Sequence, residues 1–337
     1  MFAVVSINPY PGAATANYTR GPGPQQISTK LVLDQGSLPV QSSSQPNFPS
    51  IENLQYQALL YELQNSDGTP AQVVPNWFGV ALPDGPLDLA FDVHVIIYFH
   101  PTPAQATYND NDYFNPNKDP NDPSANADWK QLFGYIDRLG GQMAAANEYG
   151  ATVNRLVIFP FLTQAPYTLA TSQWGNVIHD ILQDINNNPN LLPGVCTRPK
   201  NVIVASLSDG SVYLNRFLDE SQQDDENGNP SIFSRIVEVW DFDSEISRPQ
   251  TLVDPHGKQL RAYWQNAGAP SGADFVQLPP SSWVNFQRPP VEEVPPLPPK
   301  ASNSVDSDDT DPTLIHHHYI RDTMFLDVLM KLPESDS

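Results

Sequence analysis

A chain of 337 residues with 38 acidic against 17 basic side chains carries a formal charge of −21. Its long-range field repels phosphates, which excludes nucleic acid and anionic membrane surfaces as general partners and leaves neutral or cationic ligands unopposed. A single cysteine, Cys196, excludes an intrachain disulfide and a thiolate metal cluster, and no apolar run approaches the roughly 20 residues that span a bilayer.

The N-terminus, Met1-Phe-Ala-Val-Val-Ser-Ile-Asn-Pro, lacks a basic segment followed by a long apolar one, so it does not read as a secretory signal. The default expectation is a cytoplasmic protein. Residues 1–50 are rich in Pro, Gly, Ser and Gln and read as an irregular arm with at most one edge strand, Thr29 to Asp34. Residues 51–337 read as one domain. It opens on Leu54 to Leu63, an apolar-periodic stretch that fits a helix or a strand, and Asn65-Ser-Asp-Gly68 marks a turn after it.

Val93 to Phe99 is nearly all apolar, as suits a strand covered on both faces. It ends in His100-Pro-Thr-Pro103, and a long polar loop follows over 108–127. Asp128 caps a predicted helix whose apolar positions are Trp129, Leu132, Phe133, Ile136, Leu139 and Met143. A second buried strand spans Arg155 to Phe161. Trp174, Val177, Ile178, Ile181, Leu182 and Ile185 then mark an amphipathic helix.

The third buried strand, 201–205, runs into Ser206-Leu-Ser-Asp-Gly210 and at once into a helical pattern carried by Val212, Tyr213, Leu214, Phe217 and Leu218. Further strands are expected over 235–240 and 259–264, with another candidate at 274–278. A second long loop covers 265–312, Pro-rich and then Asp/Ser-rich. A short amphipathic helix carrying Ile320, Met324, Phe325 and Val328 closes the chain. Strands alternating with helices from 93 to 240 argue for an α/β fold: a doubly wound, mostly parallel sheet with helices on both faces.

A buried strand, a tight turn with small residues around a serine, and then a helix form the layout of a nucleophile elbow, which lifts one side chain above a helix N-terminus. Ser208 occupies its centre. Ser206 stands where the usual motif has its first glycine, and Ser206, Ser208 or Ser211 could equally satisfy backbone groups in a turn.

In this order of elements the chain resembles the α/β-hydrolase family over residues 88–332. The resemblance implies a serine hydrolase, an esterase or lipase acting on a small-molecule or lipid ester through an acyl-enzyme, without a cofactor. It implies Ser208 as nucleophile and an oxyanion hole formed by the backbone N–H groups of Asp209 and Thr102. It places the histidine before the last helix, at His316 or His317, and the acid at Asp241 or Asp243 after the next strand. Asp274 is the alternative acid one strand later. Pro101 has no N–H to donate in the oxyanion loop. A second reading keeps the fold without catalysis, as a protein that binds a partner or carbohydrate.

Other chemistries have little support. No glycine-rich phosphate loop is present. Asp110-Asn-Asp112 lacks the glycine and terminal glutamate of a calcium loop. Three adjacent histidines, His316 to His318, are badly spaced for one metal.

Overall fold

The computed structural model describes residues 3–6, 25–31, 51–67, 69, 71–83, 93–101, 136, 139–147, 155–162, 167–187, 199, 201–222, 232–244, 253–263 and 325–330. Its strands are β1 (Ala3–Ser6), β2 (Gln25–Leu31), β3 (Ile51–Gln64), β4 (Trp77–Pro83), β5 (His94–Phe99), β6 (Arg155–Pro160), β7 (Asn201–Leu207), β8 (Ile236–Phe242) and β9 (Gln259–Tyr263). The helices are α1 (residues 136 and 139–147), α2 (Trp174–Asn187), α3 (Gly210–Ser221) and α4 (Phe325–Met330).

All nine strands join one sheet, ordered β1-β3-β4-β6-β5-β7-β8-β9 with β2 also paired to β3. The five strands from β6 to β9 in that order run parallel, whereas β1, β2, β3 and β4 form an antiparallel wing attached through β4 to β6. The fold is therefore the α/β, doubly wound, mostly parallel arrangement expected from the alternation. Two stretches of the N-terminal arm, not one, are strands. The ambiguous stretch at 54–63 is the middle of β3, and β4 is a strand that no hydrophobic pattern announced.

Helices cover both faces. On one, α2 and α3 bury Trp174, Ile181, Leu214 and Phe217 against Val95, Ile97, Phe99, Val202 and Val204. Trp174 and Phe217 meet edge-on at 5.2 Å, and Phe99 packs against Phe217 at 5.4 Å, offset geometries that aromatic rings favour. On the other face, Phe325 of α4 sits among Tyr98, Trp240 and Phe242, with ring centroids 5.8, 6.0 and 6.1 Å away. Gly140 in α1 lets that helix touch β3, because a Cβ there would lie 2.5 Å from the Tyr56 ring. The main-chain N–H of Leu326 donates to Gln142 Oε1 at 2.8 Å, which ties α4 to α1.

From β5 the chain crosses to β6 on one side, then returns past β5 to β7 and continues outward to β8 and β9. Connections leaving β5 and β7 thus depart in opposite directions. A reversal of this kind marks the edge at the strands' carboxyl ends where ligands bind in open α/β sheets.

Candidate active site

The residues at that edge come from three adjacent strand ends. In register, Phe99 of β5 lies beside Ser206 of β7, and Ser206 beside Asp241 of β8. β7 owes its depth to Val202, Ile203 and Val204, β-branched and fully buried. It runs two residues further than its apolar stretch predicts, through Leu207.

Ser208 follows immediately, with φ 53. A non-glycine residue in the left-handed region is strained, and such residues persist where their surroundings over-determine them. Here the constraints are explicit. The Ser208 N–H donates to the carbonyl of Phe242 at 2.9 Å, and its own carbonyl accepts from the N–H of Ser211 at 3.2 Å as α3 begins. Gly210 presses the start of α3 against the end of β5, where a Cβ would come within 2.3 Å of the Phe99 carbonyl oxygen. Only glycine fits, and the elbow is thereby seated on the strand that leads into His100-Pro101.

Asp209 is the N-cap of α3 with φ −70, and its side chain makes no capping bond. Its charge, after burial, helps raise the Tyr213 hydroxyl to about 12. Further along, α3 is fastened to the segment before α2. Arg216 donates to the Tyr167 carbonyl and lies 5.2 Å over that ring, and Thr171 donates to Glu220 at 2.9 Å. The helix behind the serine is well braced.

His100 is wholly buried. Its Nδ1 lies 2.7 Å from the Pro101 carbonyl, and its Nε2 accepts the Leu162 N–H at 3.0 Å. Those partners require a neutral ring protonated at Nδ1. Burial pushes the imidazole down to about 4, against the upward pull of the Pro101 and Pro160 carbonyls. Both nitrogens are engaged with backbone, so His100 welds β5 to β6 and is not a base. Of the other described histidines, His94 opens β5 and His256 precedes β9, both at the opposite edge of the sheet, while His179 lies within α2. His256 is 2.7 Å from Asp219 at the surface.

At β8 the strand is longer than its apolar run. Asp241 is a paired strand residue, not a loop residue after Trp240, and Asp243 is the first residue beyond the strand. Both are fully buried. Asp241 Oδ1 accepts from the Ser244 N–H at 3.2 Å and Oδ2 from the Ser244 hydroxyl at 2.5 Å. Asp243 has φ 59. Ser244 and the Phe242 carbonyl were not singled out from sequence; the Asp-x-x-Ser spacing was the signal for the first.

The structure thus brings together Ser208, Asp209, Asp241, Asp243 and the His100-Pro101 turn. Thr102, His316 and His317 lie outside the described residues, as do Asp274 and the loops at 108–127 and 265–312. Among the described residues no cluster of three His, Cys, Asp or Glu side chains could hold a metal, and no helix is long and apolar enough to cross a membrane.

No protein-family model matches the sequence, and no curated protein matches it. Among solved structures, the chain is similar to a provisionally assigned carboxylesterase from Lactobacillus plantarum WCFS1 at 12% identity and a TM-score of 0.29, covering 79% of this chain and 87% of that one. A mutant of the feruloyl esterase module from Clostridium thermocellum, complexed with sinapinate, aligns at 11% identity and a TM-score of 0.35, covering 76% and 85%. Likenesses this remote carry no functional argument, and the site rests on its own geometry.

Proposed function

We propose that the chain is a serine hydrolase that cleaves an ester of a small molecule or lipid through an acyl-enzyme. The observation that carries this reading is Ser208 at φ 53, held between a buried parallel strand and a helix N-terminus at the point where the sheet's connections diverge. Few structural needs call for a strained serine there. A nucleophile does, because the turn lifts its hydroxyl clear of the sheet.

In the proposed reaction Ser208 Oγ attacks the ester carbonyl carbon while His316 or His317 takes its proton. The tetrahedral oxyanion is met by the N–H of Asp209 at the positive end of α3, with Thr102 as the second donor. The histidine returns the proton to the departing alkoxide, and a water activated by the same base releases the acid. A carboxylate from the Asp241–Asp243 pair orients the imidazole and steadies its charge. Phe325, eight residues after His317, is anchored against Tyr98 and Phe242 near the strands' carboxyl ends. Eight residues reach at most about 28 Å, a length of chain that allows either histidine to meet that edge.

A fluorophosphonate probe tests the reading. Wild type is expected to be labelled and Ser208→Ala is not; absence of labelling, or equal labelling of both, sinks it. Hydrolysis of short against long p-nitrophenyl esters then separates esterase from lipase preference. The rival, a non-catalytic binder of a partner or carbohydrate, draws on Ser206 at the motif's glycine position and on Pro101, and predicts an inert Ser208.

A further inference from the structure

We infer that the elbow rests on an internal water, held between the end of β7 and the first turn of α3 by the hydroxyls of Ser206 and Ser211. The site belongs to the base of the turn and does not depend on the chain being a hydrolase.

Both serines are fully buried, and neither hydroxyl has a hydrogen-bond partner among the described residues. A helical serine often bonds back to a carbonyl one turn earlier, and the Ser211 side chain does not. Only its main-chain N–H is used there, toward the Ser208 carbonyl at 3.2 Å. Native proteins rarely keep a buried hydroxyl unsatisfied. Two of them, five residues apart around one turn, call for a shared cause.

Their placement supplies it. Side chains alternate along a strand, so Ser206 shares a face with Val202 and Val204. Those valines pack in one cluster with Leu214, Phe217 and Leu218 of α3. Ser211 lies three and seven residues before Leu214 and Leu218, in the same buried stripe of the helix. The chain reverses at the elbow, so the last residue of that face on β7 meets the first turn of α3. Gly210 fixes how closely. A Cβ there would lie 2.3 Å from the Phe99 carbonyl oxygen and 3.0 Å from that of His100, and Phe99 is the register neighbour of Ser206.

The two hydroxyls thus belong to one layer between strand and helix, yet they do not bond each other. An apolar pair would fill such a layer by contact alone. Two hydroxyls that do not meet need a small bridging molecule that both donates and accepts. Neither is charged, which favours water over an ion. With the Phe99 and His100 carbonyls approaching the same turn, the polar groups at hand reach the two to four that a buried water needs.

A high-resolution crystal structure and unfolding of three variants test the site. In wild type, a density peak is expected about 2.8 Å from both Ser206 Oγ and Ser211 Oγ. No peak there, or one bonded to a single serine, overturns the inference. Ser206→Ala and Ser211→Ala are each expected to lower the folding equilibrium constant about fivefold, because each strands the other hydroxyl. The double variant should be no less stable than either single one, since no hydroxyl is then left unpaired. Single variants as stable as wild type, or losses that multiply in the double variant, overturn the shared water. Water-deuteron relaxation dispersion gives a readout apart from stability: each single variant should lose one long-lived internal water, and an unchanged number overturns the site. Should a variant fail to fold, the wild-type density decides. Ester hydrolysis enters none of these measurements, so their outcome stands apart from that of the serine-hydrolase reading.

Discussion

The N–H of Ser208 donates to the carbonyl of Phe242 at 2.9 Å, and this bond links the ends of two neighbouring strands, each followed at once by a left-handed residue, Ser208 at φ 53 and Asp243 at φ 59. The strained turn at Ser208 is thus held by the end of the next strand. Relieving it should stabilise the fold at the expense of chemistry. Ser208→Gly is expected to be more stable than Ser208→Ala by about 1 kcal/mol, since only glycine takes that φ without steric cost. Neither variant should label with a fluorophosphonate. Urea unfolding of the pair measures the difference, and equal stabilities would mean that the turn relaxes.

Gly210→Ala tests the seat of the elbow. A Cβ 2.3 Å from the Phe99 carbonyl and 3.0 Å from that of His100 meets backbone, which cannot rotate away. Either α3 or the end of β5 must move. We expect a loss of about 2–3 kcal/mol in thermal or urea unfolding, together with loss of probe labelling although Ser208, the proposed nucleophile, is unchanged.

His100 predicts a specific acid sensitivity. Burial lowers its folded-state pKa to about 4 from an ordinary 6.5. The neutral ring is the one that the fold accommodates, so its contribution is fully present above pH 6.5 and is lost as pH falls from there through about 4. The full effect is on the order of 3 kcal/mol. His100→Gln, which can still donate and accept, should show a flatter dependence between pH 7 and pH 4.5 in denaturant titrations. An unchanged slope would assign the acid sensitivity to other groups.

On the outer pair of parallel strands, Glu238 is buried and receives Arg261 at 2.6 and 2.9 Å and the Trp240 indole at 2.8 Å. Arg261→Met leaves a buried carboxylate without its counter-charge and is expected to cost about 3 kcal/mol. Glu238→Gln in the same background should recover most of that. A double-mutant cycle by urea unfolding reads the coupling, and additive losses would show that the pair acts as two independent contacts.

How far these features were legible in the sequence varied with their physics. β5, β6 and β7 are buried on both faces, so their apolar runs announced them, and α2 carried its stripe at helical spacing. β4 passed unnoticed because Gly79 and Ala81 interrupt a short segment whose pairing on both sides comes from distant chain. β8 was read two residues short because Asp241 resembles a strand stop. Ser244 satisfies that aspartate inside the sheet, a local bond invisible to hydrophobic periodicity. Ser208 was legible by its place between strand and helix. Its strain and the carbonyl that holds it were not, because Phe242 reaches it only through β8's register. The choice between His316 and His317 depends on chain outside the described residues.

The docking of α4 has a consequence for when the site can be completed. Phe325 rests on residues from β5 and β8, and Arg155 of β6 reaches the Leu329 carbonyl at 3.4 Å. Its receptor surface is therefore assembled from strands that all precede it along the chain. During synthesis the sheet must gather before this helix has anything to bind, and the histidines just ahead of the helix emerge after all the described strands. On the serine-hydrolase proposal, Ser208 would lack its proposed histidine until then, so a chain in which the described strands alone have assembled would not hydrolyse an ester.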